Sequence, residues 1–137
     1  MPYATQADLE ARFGTDELTQ LTDRVGGGVP DAGIVARALA DSDAEIDGYL
    51  ASRYALPLAT VPPALARIAC DIARYRLWED RASEEVRRRY EDARRLLESI
   101  ARGQVSLGLP AANAAQALAE VSLGNPRVMS RAVTGGY

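Results

Sequence analysis

The chain has 137 residues, room for one ordinary domain. It contains no histidine and a single cysteine, Cys70, which excludes Ser-His-Asp and Cys-His nucleophiles, histidine-ligated metals, cysteine-rich zinc sites and internal disulfides. Its net charge of −3 argues against a nucleic-acid or acidic-membrane binder, and the composition points away from an enzyme and from any cofactor.

The first 103 residues read as helices, and the expected fold is all-α: a bundle of about four to five helices followed by an extended C-terminal arm. Thr5 is placed to cap a short helix, Gln6–Phe13, with Asp8 at the third helical position and Gly14 as the stop. Thr15 is the expected cap of a second, Asp16–Arg24, whose first turn carries Asp16 and Glu17. Val25-Gly26-Gly27-Gly28-Val29-Pro30 is a flexible linker; it lacks the Gly-Lys-Ser/Thr end of a phosphate loop. A long helix is expected from about Asp31 to Tyr54. Its face is Val35, Leu39, Ser42, Ile46, Tyr49 and Arg53, widened by Ile34, Ala38 and Leu50.

Residues 55–63 form an apolar loop closed by a proline suited to a helix start. The helix from Pro63 to about Asp80 is the most apolar and is placed centrally, with Leu65, Ile68, Ala69, Ile72, Ala73 and Arg76 marking one face. Cys70 reads as a small core residue. Ser83 caps a last long helix, Glu84–Arg102, stopped by Gly103. Val86, Tyr90, Ala93, Leu97 and Ile100 line its inner face. Its outer face pairs Glu84/Arg88, Glu85/Arg89, Glu91/Arg95 and Glu98/Arg102.

The character changes after Gly103, so two units are expected: a bundle, 1–103, and an arm, 104–137. The bundle holds fourteen arginines against eighteen acids, a net of −4; the arm holds Arg127 and Arg131 against Glu120, a net of +1. Ala111–Glu120 is Ala-rich and suits a marginal helix; in residues 122–137 helix breakers, no amphipathic period and unprotected Val128, Met129, Val133 and Tyr137 suit an arm that orders on a partner. No apolar run approaches the ~20 residues of a membrane span. No basic-then-apolar N-terminus suggests a secretory signal. A single cysteine suits a reducing cytoplasm.

Asp41-Ser42-Asp43-Ala44-Glu45-Ile46-Asp47 lacks the Gly and Glu of a calcium loop and reads as a solvated acidic helix face. Arg87-Arg88-Arg89 is surrounded by Glu84, Glu85 and Glu91 and reads as a salt-bridged face, with nucleic-acid binding as the competing reading. Arg67 and Arg74 put charge on the apolar central helix, where an ion pair within the chain and a subunit contact both remain open. All sixteen basic residues are arginine, which suits bidentate contacts and equally GC-rich coding.

Several segments together resemble one family. They are Tyr3-Ala4-Thr5-Gln6-Ala7-Asp8-Leu9 with Arg12-Phe13-Gly14, the run from Ala44 through Tyr49 to Leu58, and Ile68–Tyr75. The Gly103…Leu107-Gly108 step and Asn125-Pro126-Arg127-Val128-Met129-Ser130-Arg131 complete the set. The chain is similar to the head–tail adaptor (connector) proteins of Mu-like phages and prophages. The resemblance implies a structural protein of the virion neck, assembled in the host cytoplasm as a homo-oligomeric ring of about twelve copies under the portal. Its partners would be the portal protein and a stopper or head-completion protein, with DNA passing through the channel without specific binding.

By position, the portal-docking residues would be Arg127, Val128, Met129, Arg131 and Tyr137. The loop Tyr54, Leu56, Pro57 and Leu58 would be a subunit or neighbour contact. The ending Gly135-Gly136-Tyr137 keeps a terminal aromatic where relatives are expected to carry Phe, and lacks the basic residue expected before it. Alternative readings are a stopper or tail-completion protein of the same neck, and a helical nucleic-acid-binding or regulatory module using Arg87–Arg89.

Overall fold

The computed structural model describes residues 2–109, and over them the chain is all-α. Five helices form: α1 Gln6–Phe13, α2 Thr15–Thr22, α3 Ala32–Leu50, α4 Pro63–Trp78 and α5 Glu84–Ala101, with a 3-10 turn, Glu79–Arg81, after α4. The expected arm residues Arg127, Val128, Met129, Arg131 and Tyr137 lie outside the described residues.

Local chemistry sets the helix ends. The Thr5 side chain accepts from the Asp8 N–H while the Asp8 carboxylate takes the Thr5 N–H, a reciprocal capping box. Gly14, at φ 90°, ends α1 and is also the N-cap of α2, so Thr15 is a helical residue instead of the cap expected from sequence. α2 stops at Thr22, two residues short of Arg24, because Thr22 and Asp23 turn their side chains to the loop. The Thr22 hydroxyl donates to Leu18 O at 2.7 Å and accepts from Asp31 N–H at 2.9 Å. Asp31 caps α3 through the Gly33 and Ile34 N–H groups. α3 ends at Leu50, not Tyr54: the Arg53 and Tyr54 N–H groups both close on Leu50 O, a tight turn that carries Tyr54 into the core. Pro63 opens α4, and Ser83 caps α5 through Val86 N–H.

α3, α4 and α5 pack on one another as a three-helix core with α4 central, and the α1–α2 pair lies against α3 and α4. Leu65, Ile68, Ala69, Cys70, Ile72 and Ala73 of α4 are fully buried, as are Ile46 and Leu50 of α3 and Leu97 of α5. The inner faces expected for α3, α4 and α5 hold, except that Arg53 falls beyond α3 and Arg76 sits exposed at the edge of its face. Burial pushes the Cys70 thiol up to about 11, which suits an inert core residue.

Arg74 ties the two layers together. Its Nε and Nη2 donate to the Glu17 carboxylate at 2.6 and 3.0 Å, a bidentate pair from α4 to α2. Trp78 Nε1 donates to the same carboxylate at 3.2 Å, the guanidinium lies 4.2 Å from the centre of the Phe13 ring, and Glu85 of α5 stands 3.8 Å away. Burial pulls the Glu17 carboxyl up, and the bonds from Arg74 and Trp78 outweigh it, leaving it below its ordinary value. Of the two readings left open for Arg74, the structure makes it an ion pair within the chain. Arg67 pairs loosely along its own helix, 3.7 Å from Asp71.

Arg74→Ala strands Glu17 in a half-buried site. It is expected to cost about 3 kcal/mol, seen in urea unfolding as a lower midpoint at unchanged slope. A loss below about 1 kcal/mol would reduce the pair to an ordinary surface bridge.

Candidate functional site

Three polar features and one loop cluster are candidates for function. The first is the acidic run on α3. Sequence makes it a solvated face; the structure employs most of it. Asp43 accepts from the Tyr3 N–H at 3.1 Å and Asp47 accepts from the Tyr3 hydroxyl, so the segment before α1 is fastened across α3. Burial, and then the Asp47 hydrogen bond and charge, push the Tyr3 phenol far up. Glu45 accepts from Arg76 Nη2 at 2.6 Å and from the Tyr90 hydroxyl at 3.1 Å, and Tyr90 stacks on Tyr75 with ring centres 4.1 Å apart. Only Asp41 of the four acids is exposed. Among the described residues, no group of His, Cys, Asp and Glu is placed to hold a metal ion.

The second is the glycine run between α2 and α3. It is a built turn. The Asp23 carboxylate accepts from Gly27 N–H at 3.0 Å and Gly28 N–H at 2.7 Å, with Gly26 and Gly28 both at φ 78°. The Gly28 bond, then the Gly27 bond, hold the Asp23 carboxyl below its ordinary value. The backbone donors an anion would use are filled by the chain's own carboxylate. Val25 and Val29 project outward from this turn, 92% and 64% exposed.

The third is a cleft of about 390 Å³ between α1, α4 and α5, lined by Arg12, Phe13, Arg67, Asp71, Arg89 and Asp92. Asp71 is the one buried acid among the described residues. Burial raises its carboxyl, against the charges of Arg67, Arg89, Arg12 and Arg74. The cleft carries three cations and two carboxylates, so its chemistry is ion pairing. Nothing in the sequence pattern marked it, because its lining comes from three helices that packing alone brings together.

The loop cluster lies where α3 and α5 both end. Tyr54 and Leu58 point into the core, Leu56 is half-buried and Pro57 is exposed. The loop expected as a contact therefore offers Pro57 and its neighbours Ala55, Ala59 and Thr60 outward, while Tyr54 and Leu58 hold it in place. The Tyr54 hydroxyl accepts from Leu107 N–H at 3.2 Å, and the Arg53 guanidinium packs on Gly103. Two motif segments about fifty residues apart in sequence thus meet in one patch.

On α5, Glu85/Arg89 (2.9 Å) and Glu91/Arg95 (3.9 Å) pair as expected. Glu84 turns to Arg87 at 3.9 Å instead of Arg88, and among the described residues Glu98 and Arg102 form no ion pair. Two of the three consecutive arginines are thus engaged by acids of their own helix. Among the described residues no helix is long and apolar enough to cross a membrane.

Residues 3–123 match the family model described as bacteriophage Mu, Gp36. Over 107 residues the chain is 43% identical to the Mu-like prophage FluMu protein gp36 of Haemophilus influenzae, covering 78% of this chain and 76% of the relative. Over 116 residues it is 40% identical to gene product J of Escherichia phage Mu, covering 84% and 82%.

Asp71 supplies a pH test. Its carboxyl is raised in the fold, so the folded protein loses stability as pH rises from the ordinary value of 3.8 through the folded value. Asp71→Asn removes that loss. Its stability relative to the parent chain is expected to grow from pH 4 to pH 7 in denaturant titrations; a difference flat with pH would contradict the assignment.

Proposed function

The chain belongs to the phage Mu Gp36 family, and from that premise we propose that it is a non-enzymatic structural protein of the virion neck, a head–tail adaptor. Copies form a ring under the portal and join the DNA-filled head to the tail. Residues 122–137 reach the portal through Arg127, Val128, Met129, Arg131 and Tyr137. The stopper or head-completion protein docks on another face.

The observation that carries this reading is the patch at one end of the bundle. The motif residues Arg53, Leu56 and Pro57 gather there with Gly103 and Leu107 in one surface, held from beneath by the buried Tyr54 and Leu58. A protein whose work is done by surfaces needs such a preset face and needs no nucleophile. The bundle's net of −4 fits a channel: repeated around a lumen it repels phosphate, so DNA slides through without sticking. The neutralised Arg87 and Arg89 support a structural role over a DNA-binding module.

Deleting residues 122–137 is expected to leave a folded helical protein, by circular dichroism, that no longer co-sediments with portal rings. A truncated chain that still joins the portal would remove the docking arm from the reading. A full chain that binds a tail component and ignores the portal would favour the stopper or tail-completion alternative.

A further inference from the structure

Among the described residues Arg53 is an unanswered cation. Its Nε is buried without an acceptor, and the guanidinium makes no hydrogen bond or ion pair with any described residue. It is nevertheless held in place. A Cβ on Gly103 would stand 2.8 Å from Arg53 Nη1 and 3.0 Å from Cζ, so the plane of the guanidinium rests directly on the glycine backbone. Gly103 is at φ +80°, a conformation that side chains disfavour, so the turn calls for glycine. The Tyr54–Leu107 hydrogen bond pins the same corner from the other side. The Nε lies beneath the surface, out of a partner's reach, whereas Nη1 and Nη2 keep accessible area and no acceptor among the described residues, and such a rigid, planar donor edge suits a carboxylate.

We propose that this notch receives a carboxylate from a second copy of the chain. The proposal rests on the ring reading above and names a contact within it. A nucleic-acid phosphate is the weaker candidate, because the chain's net charge of −3 repels it. A second copy brings carboxylates in excess: Asp16, Asp41, Glu79, Asp80 and Glu98 form no ion pair among the described residues. A contact in which one patch meets a different patch of the neighbour is the head-to-tail type that closes rings.

The sequence permits a clean test, because it has no lysine. Arg53→Lys places a single side-chain amine in the notch, and a carbodiimide then joins that amine to any carboxylate in direct contact. The full-length variant is treated at high concentration, alone and with portal rings, using mixed isotopically light and heavy copies. Mass spectrometry should find the amine at position 53 linked to an Asp or Glu of another copy. The parent chain, whose amine is the α-amino group, supplies the background.

Arg53→Met should keep the helical spectrum and raise the concentration at which copies associate by about thirtyfold or more. No link, a link only within one chain, or a link only to the portal would overturn the proposal, as would unchanged association of Arg53→Met. Co-sedimentation with the portal, read in the same mixtures, reports separately on the adaptor reading. Copies that link to each other without binding the portal would sink that reading and leave the notch contact standing.

Discussion

The arrangement of the bundle depends on one buried guanidinium. Arg74 sits on the most apolar helix, where a charge without partners would cost several kcal/mol. It is tolerable because Glu17 meets it with both oxygens, Trp78 shares the same carboxylate, and the Phe13 ring lies against the guanidinium. Those partners come from α1, α2 and α4, and Glu85 of α5 stands at the edge. The pair fixes how the short N-terminal helices sit on the long ones, which apolar contact between small side chains would define less sharply. A core poor in aromatics makes this constraint matter more: Leu, Ile and Ala supply burial, and the ion pair supplies register.

The same economy recurs elsewhere. Tyr3 is fastened by Asp43 and Asp47, Arg76 and Tyr90 converge on Glu45, and the glycine turn closes on Asp23. These half-buried acids are thereby spent on holding segments in place. The two ends of the bundle differ: one presents the valines of the glycine turn, the other the patch around Arg53, Pro57 and Gly103. The proposed ring would use such an asymmetry, since its protomers would meet their neighbours from distinct sides.

Much of the fold was legible along the chain, because helices are written in short-range patterns. The inner faces of α3, α4 and α5 followed from 4-3 spacing; Thr5 and Ser83 marked helix starts through local hydrogen bonds, and Pro63 through its fixed φ. The misreadings have local causes too. Gly14 took the cap from Thr15 by adopting a backbone conformation that serves both helices. α3 stopped early because Tyr54 is buried, which no spacing rule reveals. The acidic run looked solvated because its partners, Tyr3, Arg76 and Tyr90, lie some thirty to forty-five residues away.

By itself the sequence determined the chemistry open to this protein. Without histidine, lysine or a second cysteine, its ionisable side chains are mainly carboxylates, tyrosines and arginines, and its periodicity dictates helices. Those properties depend on composition and on residues within a turn or two of one another. The tertiary structure alone decided which charges neutralise each other and which stay unanswered. Arg74 found Glu17 across two elements, whereas Arg53 came to rest on Gly103 with no acceptor among the described residues. Nothing in one-dimensional spacing separates these two arginines. Desolvation and the meeting of distant helix ends do.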